Sequence, residues 1–172
     1  MSNSEEKIME KNINKLKQSK VSKPSSVSIN DKNKLLAVIR ISGMVKVKKD
    51  MAETLDRLRL RRKYACVLID GSDKNLIGMI EKIKFYVAYG SVDKETLIKL
   101  VKERGKSVDG KNVDAEKVAF SLMKGEKLSN LGLKPFFRLH SPREGIKSKL
   151  QYPRGVLGNN DRDVNKLIMR ML

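Results

Sequence analysis

Two segments of the chain combine cationic and flat side chains, the groups that proteins use to contact phosphates, riboses and exposed bases. The first runs from Arg57 to Tyr64, and its basic residues are Arg57, Arg59, Arg61, Arg62 and Lys63. Arginine suits this chemistry because its planar guanidinium binds phosphate oxygens in pairs and stacks on bases. A helix end needs fewer cations than this to complement its macrodipole, so the segment, including Tyr64, is predicted to bind a polyanion.

The second segment is a long loop that follows a short predicted strand. Hydrophobic periodicity is lost from residue 141 to residue 160, where glycine and proline interrupt the chain. Compact domains rarely keep a loop of this length without using it. Its basic residues surround one acid, Glu144, and alternate with aromatic rings. The residues predicted here to contact nucleic acid are Phe137, Arg138, His140, Arg143, Lys147, Lys149, Tyr152 and Arg154.

Gly78 falls inside a predicted helix, where glycine costs roughly 1 kcal/mol relative to alanine. A glycine at such a position usually lets another group pack against bare backbone. A neighbouring strand is the favoured group, and a ribose-phosphate chain is the alternative, which would make Gly78 part of the nucleic-acid-binding set. The lysines Lys46, Lys48 and Lys82 complete that predicted set.

Groups that would support catalysis are scarce. The sequence has no glycine motif that cradles phosphates, no nucleophile elbow and no cysteine pair for zinc. His140 is the only histidine, and its neighbours Arg138 and Arg143 favour a contact with RNA over a catalytic triad. The only cysteine, Cys66, lies in an apolar run, which favours a buried thiol over a reactive one and excludes an internal disulfide. We therefore predict no catalytic residue, metal, cofactor or enzymatic activity.

The charge balance favours a polyanionic partner. The 172 residues include 38 lysines and arginines against 20 acids, a formal net charge of +18. Such self-repulsion destabilises an isolated protein, and nucleic acid or an anionic membrane would offset it. Nucleic acid is favoured because no apolar run approaches the roughly 18–20 residues of a membrane span. No helix-turn-helix spacing indicates a binder of double-stranded DNA. The lone cysteine fits a reducing cytoplasm.

Three regions differ in composition and pattern. Residues 1–34 are rich in lysine and are predicted to form a disordered arm that orders on a charged partner, with an inert solvated tail as the alternative. Residues 35–92 alternate strand, helix, strand, helix and strand, which predicts an α+β core of β-α-β-α-β order with both helices on one face of the sheet. Residues 93–172 are predicted to add helices, a short strand from Leu133 to His140, the basic loop and a C-terminal helix.

Two details of the core are specific enough to be tested by a structure. Asp50, with Glu53 three residues later, is predicted to cap the first helix in a capping box. The crossover rule for strand-helix-strand units favours parallel pairing of the first two strands.

Several motifs, taken in order, resemble the archaeal and eukaryotic form of the large-subunit ribosomal protein thirty family, whose eukaryotic counterpart is large-subunit protein seven. They are Leu36–Gly43, the helix with Asp50 and Leu55, Cys66–Leu68, Gly78–Gly90 and Pro135–His140. The resemblance covers roughly Lys34 to Leu172. It implies a ferredoxin-like core with a largely antiparallel sheet whose first strand is central. Glu144 departs from the family pattern, which has glycine there, and this argues against a close backbone approach to RNA at that position.

The resemblance also implies a function. The family is a structural constituent of the large ribosomal subunit that binds and stabilises ribosomal RNA, near the 5S RNA and beside neighbouring ribosomal proteins. It implies a cytoplasmic ribosomal location and no membrane contact. The residues alone leave a second hypothesis open, a ferredoxin-like regulatory module that binds a small ligand at its sheet or helix ends. Such a module would have a pocket with few cations.

Overall fold

The computed structural model describes residues 35–108, 110 and 114–172, so the predicted N-terminal arm, residues 1–34, lies outside the described residues. Five strands, five α-helices and one short 3-10 helix, Asp161–Asp163, are present in the described part of the chain. In order, the strands and α-helices are β1 (Leu35–Arg40), α1 (Lys49–Arg57), β2 (Ala65–Asp70), α2 (Lys74–Lys82), β3 (Val87–Ser91), α3 (Lys94–Arg104), α4 (Ala115–Met123), β4 (Phe137–Arg138), β5 (Gly158–Asn159) and α5 (Val164–Met171).

The strands form one sheet in the order β4-β2-β1-β3-β5, with β1 at its centre. Ala37 of β1 lies opposite Leu68 of β2 and Gly90 of β3, and both pairings are antiparallel. The largely antiparallel sheet with a central first strand, implied by the family resemblance, is therefore confirmed, although β5 pairs with β3 in parallel. The parallel pairing of the first two strands favoured by the crossover rule is wrong. The reason is that the chain after α1 returns to the end of the sheet where β1 finishes. There the Tyr64 N–H donates to the Arg40 carbonyl oxygen at 2.7 Å.

Helices cover both faces of this sheet. On one face, Leu55 of α1 and Ile80 of α2 pack with Val38 of β1, so the two helices lie on one face as predicted. On the other face, Ala37 and Ile39 of β1 pack with apolar residues of α3, α4 and α5. The C-terminal extension, which the sequence analysis left without a position, therefore completes a second core. This second core explains why β1 is apolar on both sides.

Of the five α-helices in the described residues, α2 alone begins with a side-chain cap. Asp73 caps α2, because its carboxylate accepts hydrogen bonds from the Asn75 and Leu76 backbone N–H groups at 2.9 Å and 3.4 Å. The predicted capping role of Asp50 is wrong. The N-cap position of α1 is Lys48, so Asp50 lies within the first turn. A carboxylate still stabilises a helix from that position through the macrodipole.

The edge strands are short, with two residues each. The predicted strand from Leu133 to His140 is therefore mostly irregular, and only Phe137–Arg138 joins the sheet. Pro135, which has no N–H, precedes the paired residues and accords with their edge position. No helix in the described ranges is long and apolar enough to cross a membrane.

Candidate nucleic-acid interface

One end of the sheet gathers most of the basic loops. Strands β1 and β4 finish there, and β2, β3 and β5 begin there, because β1 and β4 run opposite to the other three. Four ranges meet at this end: 41–48, 57–64, 82–86 and 138–157. We call them the basic end. Backbone hydrogen bonds join them, from Ile41 N–H to the Tyr86 oxygen at 3.0 Å and from Leu139 N–H to the Tyr64 oxygen at 3.0 Å.

The basic end carries positive charge with little to offset it. Its cations are Lys46, Lys48, Arg57, Arg59, Arg61, Arg62, Lys63, Lys82, Lys84, Arg138, Arg143, Lys147, Lys149 and Arg154, and its one acid within these ranges is Glu144. All of these cationic residues are exposed. At the opposite end acids and bases are mixed: β2 finishes at Asp70 and is followed by Asp73 and Lys74, and β3 is followed by Asp93 and Lys94. The fold therefore concentrates net positive charge at one end of the sheet.

A buried arginine organises two of the basic loops. Arg40 is only 3% exposed. Its guanidinium donates to the carbonyl oxygens of Leu60 at 2.7 Å and Arg61 at 3.0 Å. The same group donates to the carbonyl oxygens of Ser42 at 3.0 Å and Gly43 at 2.9 Å. Burial lowers the pKa of Arg40 below its ordinary value, and the Asp56 carboxylate partly offsets this. Arg40 therefore ties the loop after β1 to the loop before β2.

The structure brings the two predicted basic segments together in a cleft of about 410 Å³. We call it the arginine cleft, and the residues that line it are Arg59, Arg61, Arg62, Ala65, Phe136 and Arg138. Its two halves meet because β4 pairs with β2, which sets Arg138 opposite Ala65. Arg59 and Tyr64 adopt left-handed backbone conformations, with φ of 60° and 64°, at the turns that shape its rim.

Salt bridges leave most of the cleft arginines available. Arg61 Nε lies 3.3 Å from the Asp56 carboxylate, and both side chains are largely exposed. Exposed pairs of this kind contribute little stability, so Arg61 can exchange its partner at small cost. Arg138 lies with its guanidinium 5.6 Å from the centre of the Phe136 ring, within the range of a cation–π contact.

The basic loop that follows β4 is more ordered than its sequence suggested. The Arg143 N–H donates to the Arg170 carbonyl oxygen at 2.9 Å, and the Arg170 side chain donates back to the Arg143 carbonyl oxygen at 2.6 Å. Further along, the Tyr152 N–H donates to the Leu157 carbonyl oxygen at 2.8 Å. These bonds hold the loop against α5 and the start of β5, so its exposed cations keep a fixed backbone.

Two predicted contacts need correction. Phe137 is 1% exposed and belongs to the core under α3, α4 and α5, so it cannot stack on a base. Its neighbour Phe136 is half-buried and lines the arginine cleft, the kind of position that was predicted for Phe137. Gly78 is exposed, and an added Cβ would meet nothing within 4 Å. The favoured explanation, a strand packed on Gly78, is therefore wrong, and the ribose-phosphate alternative stays a prediction.

The remaining aromatic candidates are placed differently from one another. Tyr64 is half-buried, and the Lys63 ammonium lies 4.6 Å from its ring centre. His140 is exposed, with its backbone N–H bonded to the Met171 oxygen at 2.9 Å. Tyr152 exposes its ring, but its hydroxyl donates to Asp163 at 2.7 Å. That hydrogen bond raises the pKa of Tyr152.

The basic end also has exposed apolar residues that were not among the predicted contacts. Phe85 is 60% exposed, and Met44 and Val45 are 66% and 86% exposed. Phe85 could have been recognised, because it follows the apolar stripe of α2 and stands between Lys84 and the strand β3. Met44 and Val45 stand beside Lys46 in a loop that Arg40 holds from within.

Sites for other chemistry are limited in the described part of the chain. Cys66 is fully buried in β2, and burial raises the pKa of its thiol to about 12, so it is not a reactive thiolate. Among the described residues, no group of three histidine, cysteine, aspartate or glutamate side chains is placed to hold a metal ion. A second groove, of about 810 Å³, follows the edge of β2 beyond β4. The charged residues that line it are Arg57, Arg59, Lys124, Lys127, Asp70, Asp73 and Glu126.

The comparisons with known proteins agree on one family. The family described as ribosomal protein L30p/L7e matches residues 36–87. The large ribosomal subunit protein uL30 of Archaeoglobus fulgidus is 38% identical over 152 residues, which cover 80% of this chain and 99% of that protein. The uL30 protein of Methanococcus vannielii is 38% identical over 153 residues, covering 79% and 98%. That of Desulfurococcus amylolyticus is 37% identical over 161 residues, covering 81% and 99%.

Proposed function

This chain belongs to the ribosomal protein L30p/L7e family, and we propose from that membership that its basic end holds it on large-subunit ribosomal RNA. It is a structural constituent of the large ribosomal subunit and part of the cytoplasmic ribosome, where it binds ribosomal RNA and other ribosomal proteins. The family resemblance seen in the sequence and the α+β ferredoxin-like fold are thus both confirmed.

The observation that carries the proposed interface is the segregation of charge. Four ranges that are far apart in sequence place their cations at one end of the sheet, with Glu144 as the one acid within them. Folding them together costs electrostatic energy in the isolated protein, because like charges repel. A polyphosphate chain neutralises these charges and so removes that cost. The counterions released from the polyphosphate gain entropy, which further favours binding.

The proposed RNA-binding residues are those of the sequence analysis without Phe137. Gly78 remains among them, because its exposed backbone is open to a ribose-phosphate chain. We further propose that residues 1–34 act as an additional RNA-binding arm, that residues 35–92 are the RNA-binding core and that residues 93–172 are its extension. A position near the 5S RNA is also part of the proposal, and it rests on the family resemblance alone.

The small-ligand alternative has less support. It required a pocket with few cations, whereas four arginines line the arginine cleft and four cations stand among three acids in the second groove. The proteins to which this chain is similar are named as large ribosomal subunit proteins. The same chemistry supports a non-enzymatic structural role, since contacts from clustered cations to phosphates position a protein on nucleic acid.

A salt series tests the proposed interface. Full-length protein is titrated with transcribed large-subunit ribosomal RNA from Archaeoglobus fulgidus at rising salt concentrations. Each phosphate neutralised adds about 0.7–0.9 to the slope of log affinity against log salt, so a steep fall in affinity is expected. Affinity that does not change with salt would overturn an interface built on these cations. In cell lysate, the protein should sediment with large subunits and stay there at moderate salt, whereas a free pool would favour the small-ligand alternative.

A further inference from the structure

The arginine cleft has a feature that phosphate binding alone leaves unexplained, which is an apolar floor. Ala65 is 6% exposed and forms the floor together with the ring of Phe136. The rim consists of Arg59, Arg61, Arg62 and Arg138, and of the described residues that line the cleft none carries a carboxylate. A regular duplex backbone would need the cations but would leave the floor empty. A ligand that fills both parts must carry a flat apolar ring and anionic groups.

The volume agrees with a ligand of nucleotide size. A cleft of about 410 Å³ lies within the range of pockets that enclose small molecules. The Phe136 ring and the Arg138 guanidinium are two planar surfaces, with the guanidinium carbon 5.6 Å from the ring centre. Both surfaces stack on bases irrespective of base identity. The remaining three arginines are exposed and line the same cleft, where they can bind phosphate oxygens.

The rim is fixed before any ligand arrives. The Leu60 N–H donates to the Leu55 oxygen at 2.8 Å, and the Ala65 N–H donates to the Arg62 oxygen at 3.2 Å. From beneath, Arg40 holds the carbonyl oxygens of Leu60 and Arg61. The left-handed backbone at Arg59 and Tyr64 is disfavoured for residues with a side chain, and such conformations persist where surrounding structure imposes them. Because the backbone is already ordered, the entropy lost on ligand binding comes mainly from the exposed arginine side chains and little from the backbone.

We propose that the arginine cleft receives one unpaired nucleotide of the large-subunit RNA. Its base stacks on Phe136 over Ala65, and its flanking phosphates bind the rim arginines. This inference rests on the proposed function, because it assigns to one cleft a single-stranded element of the same RNA. Recognition of an unpaired base is a common way in which proteins select a site on RNA, whose helical grooves are hard to read.

The test compares the cleft phenylalanine with a phenylalanine outside the basic end. Phe136→Leu keeps an apolar group in the cleft but removes the stacking ring, and Phe120→Leu makes the same change at an exposed ring of α4 that lines neither groove. Full-length proteins are titrated with the Archaeoglobus fulgidus large-subunit RNA, and thermal unfolding establishes that both variants fold. Loss of one base stack should weaken binding by Phe136→Leu about tenfold, and Phe120→Leu should stay within about twofold of the parent.

A cross-link identifies the nucleotide. Phe136→p-azidophenylalanine in the full-length chain is photolysed on the RNA, and the labelled nucleotide should be a single unpaired one. An abasic residue at that position should weaken the parent about tenfold and leave Phe136→Leu unaffected. If the parent binds with a steep salt dependence but the two leucine variants behave alike, or if cross-links fall on paired nucleotides, the cleft has no such role and the proposed function stands. If the parent shows no salt-dependent binding, both proposals fail.

Discussion

The guanidinium of Arg40 donates from Nη1 to the carbonyl oxygen of Leu60 at 2.7 Å, across the end of the sheet. Leu60 is itself fully buried beneath α1, so this bond ties a basic loop to the core. Arginines are usually counted among the RNA-binding residues of a basic protein. Arg40 differs because its donors are used internally, and it fixes the backbone from which exposed arginines project.

Replacing Arg40 should therefore destabilise the protein without RNA. Arg40→Met keeps much of the side-chain volume but leaves the four carbonyl oxygens that Arg40 serves without their donor. Hydrogen bonds to charged groups are worth about 1.5–3 kcal/mol each, and solvent will reach some of the freed oxygens, so the free energy of unfolding should fall by about 3 kcal/mol. Urea denaturation measures this. Arg154→Met, at an exposed arginine, should change the free energy of unfolding by less than about 0.5 kcal/mol. Equal decreases in the two variants would refute the role of Arg40.

Neutralising a cleft arginine should change the salt dependence of RNA binding. Arg62→Gln and Arg138→Gln each remove one charge from the rim, so each should lower affinity by about 1–3 kcal/mol and reduce the salt slope by about 1. Lys94→Gln removes the same charge at the opposite end of the sheet, where α3 begins, and should leave both quantities unchanged. A filter-binding series at several salt concentrations measures them. Equal effects at Lys94 and at the cleft would indicate diffuse attraction instead of a localised interface.

Gly78→Ala should raise the stability of the isolated protein and lower its affinity for RNA. Alanine is favoured over glycine inside a helix by roughly 1 kcal/mol, and no atom lies within 4 Å of the added Cβ, so the isolated protein should become more stable. Affinity for ribosomal RNA should nevertheless fall if a ribose-phosphate chain packs there. Denaturation and RNA titration of the same variant measure the two effects. The reverse exchange at an exposed position of α1, Ala52→Gly, should lower stability by about the same amount. Unchanged RNA affinity of Gly78→Ala would remove Gly78 from the interface.

Because the Cys66 thiol is buried, the free energy of unfolding should fall at alkaline pH. Its thiol pKa is about 12 in the folded protein and close to 9 when unfolded, so above pH 9 the unfolded state loses a proton that the folded state keeps. Fewer protons on the unfolded state mean that stability falls as pH rises, by up to about 1.4 kcal/mol per pH unit between these two values. Unfolding at pH 8, 9 and 10 measures this, with Cys66→Ala as the control for other titrating groups. A thiol that reacts rapidly with iodoacetamide in the native state at pH 8 would contradict the burial.

Strands and helices that depend on a short run of neighbouring residues were predicted from the sequence alone. The apolar run of β2 predicts Ala65–Asp70, and the structure has the same bounds. The stripe that includes Leu55 and Leu58 predicts a helix over the face that is buried. Asp50 was misplaced because helix ends depend on one or two backbone dihedrals that the residue types constrain weakly. Pairing direction was predicted correctly only by family resemblance, because it depends on where α1 returns the chain.

Phe137 was predicted to contact RNA but is buried, whereas Phe136 lines the arginine cleft. This difference shows why site residues are harder to predict. In a strand, neighbouring side chains point to opposite faces, so the phase of the alternation decides which ring is buried. β4 has two residues, too few for that phase to appear in the sequence. The arginine cleft depends equally on a distant pairing, since Ala65 and Arg138 meet only when β4 joins β2. Residue types could suggest the cations but could not bring them to one cleft.

The two-residue edge strands matter while the protein is being made. Translation completes β1, β2 and β3 first, whereas β4 and β5, which pair with the outer sides of β2 and β3, come from the last quarter of the chain. A nascent chain that stops short of them exposes two unpaired backbone edges, which can recruit strands from other chains. Chaperone protection should therefore matter most during synthesis of the stretch between β3 and β5, and ribosome stalling in that stretch should produce aggregates.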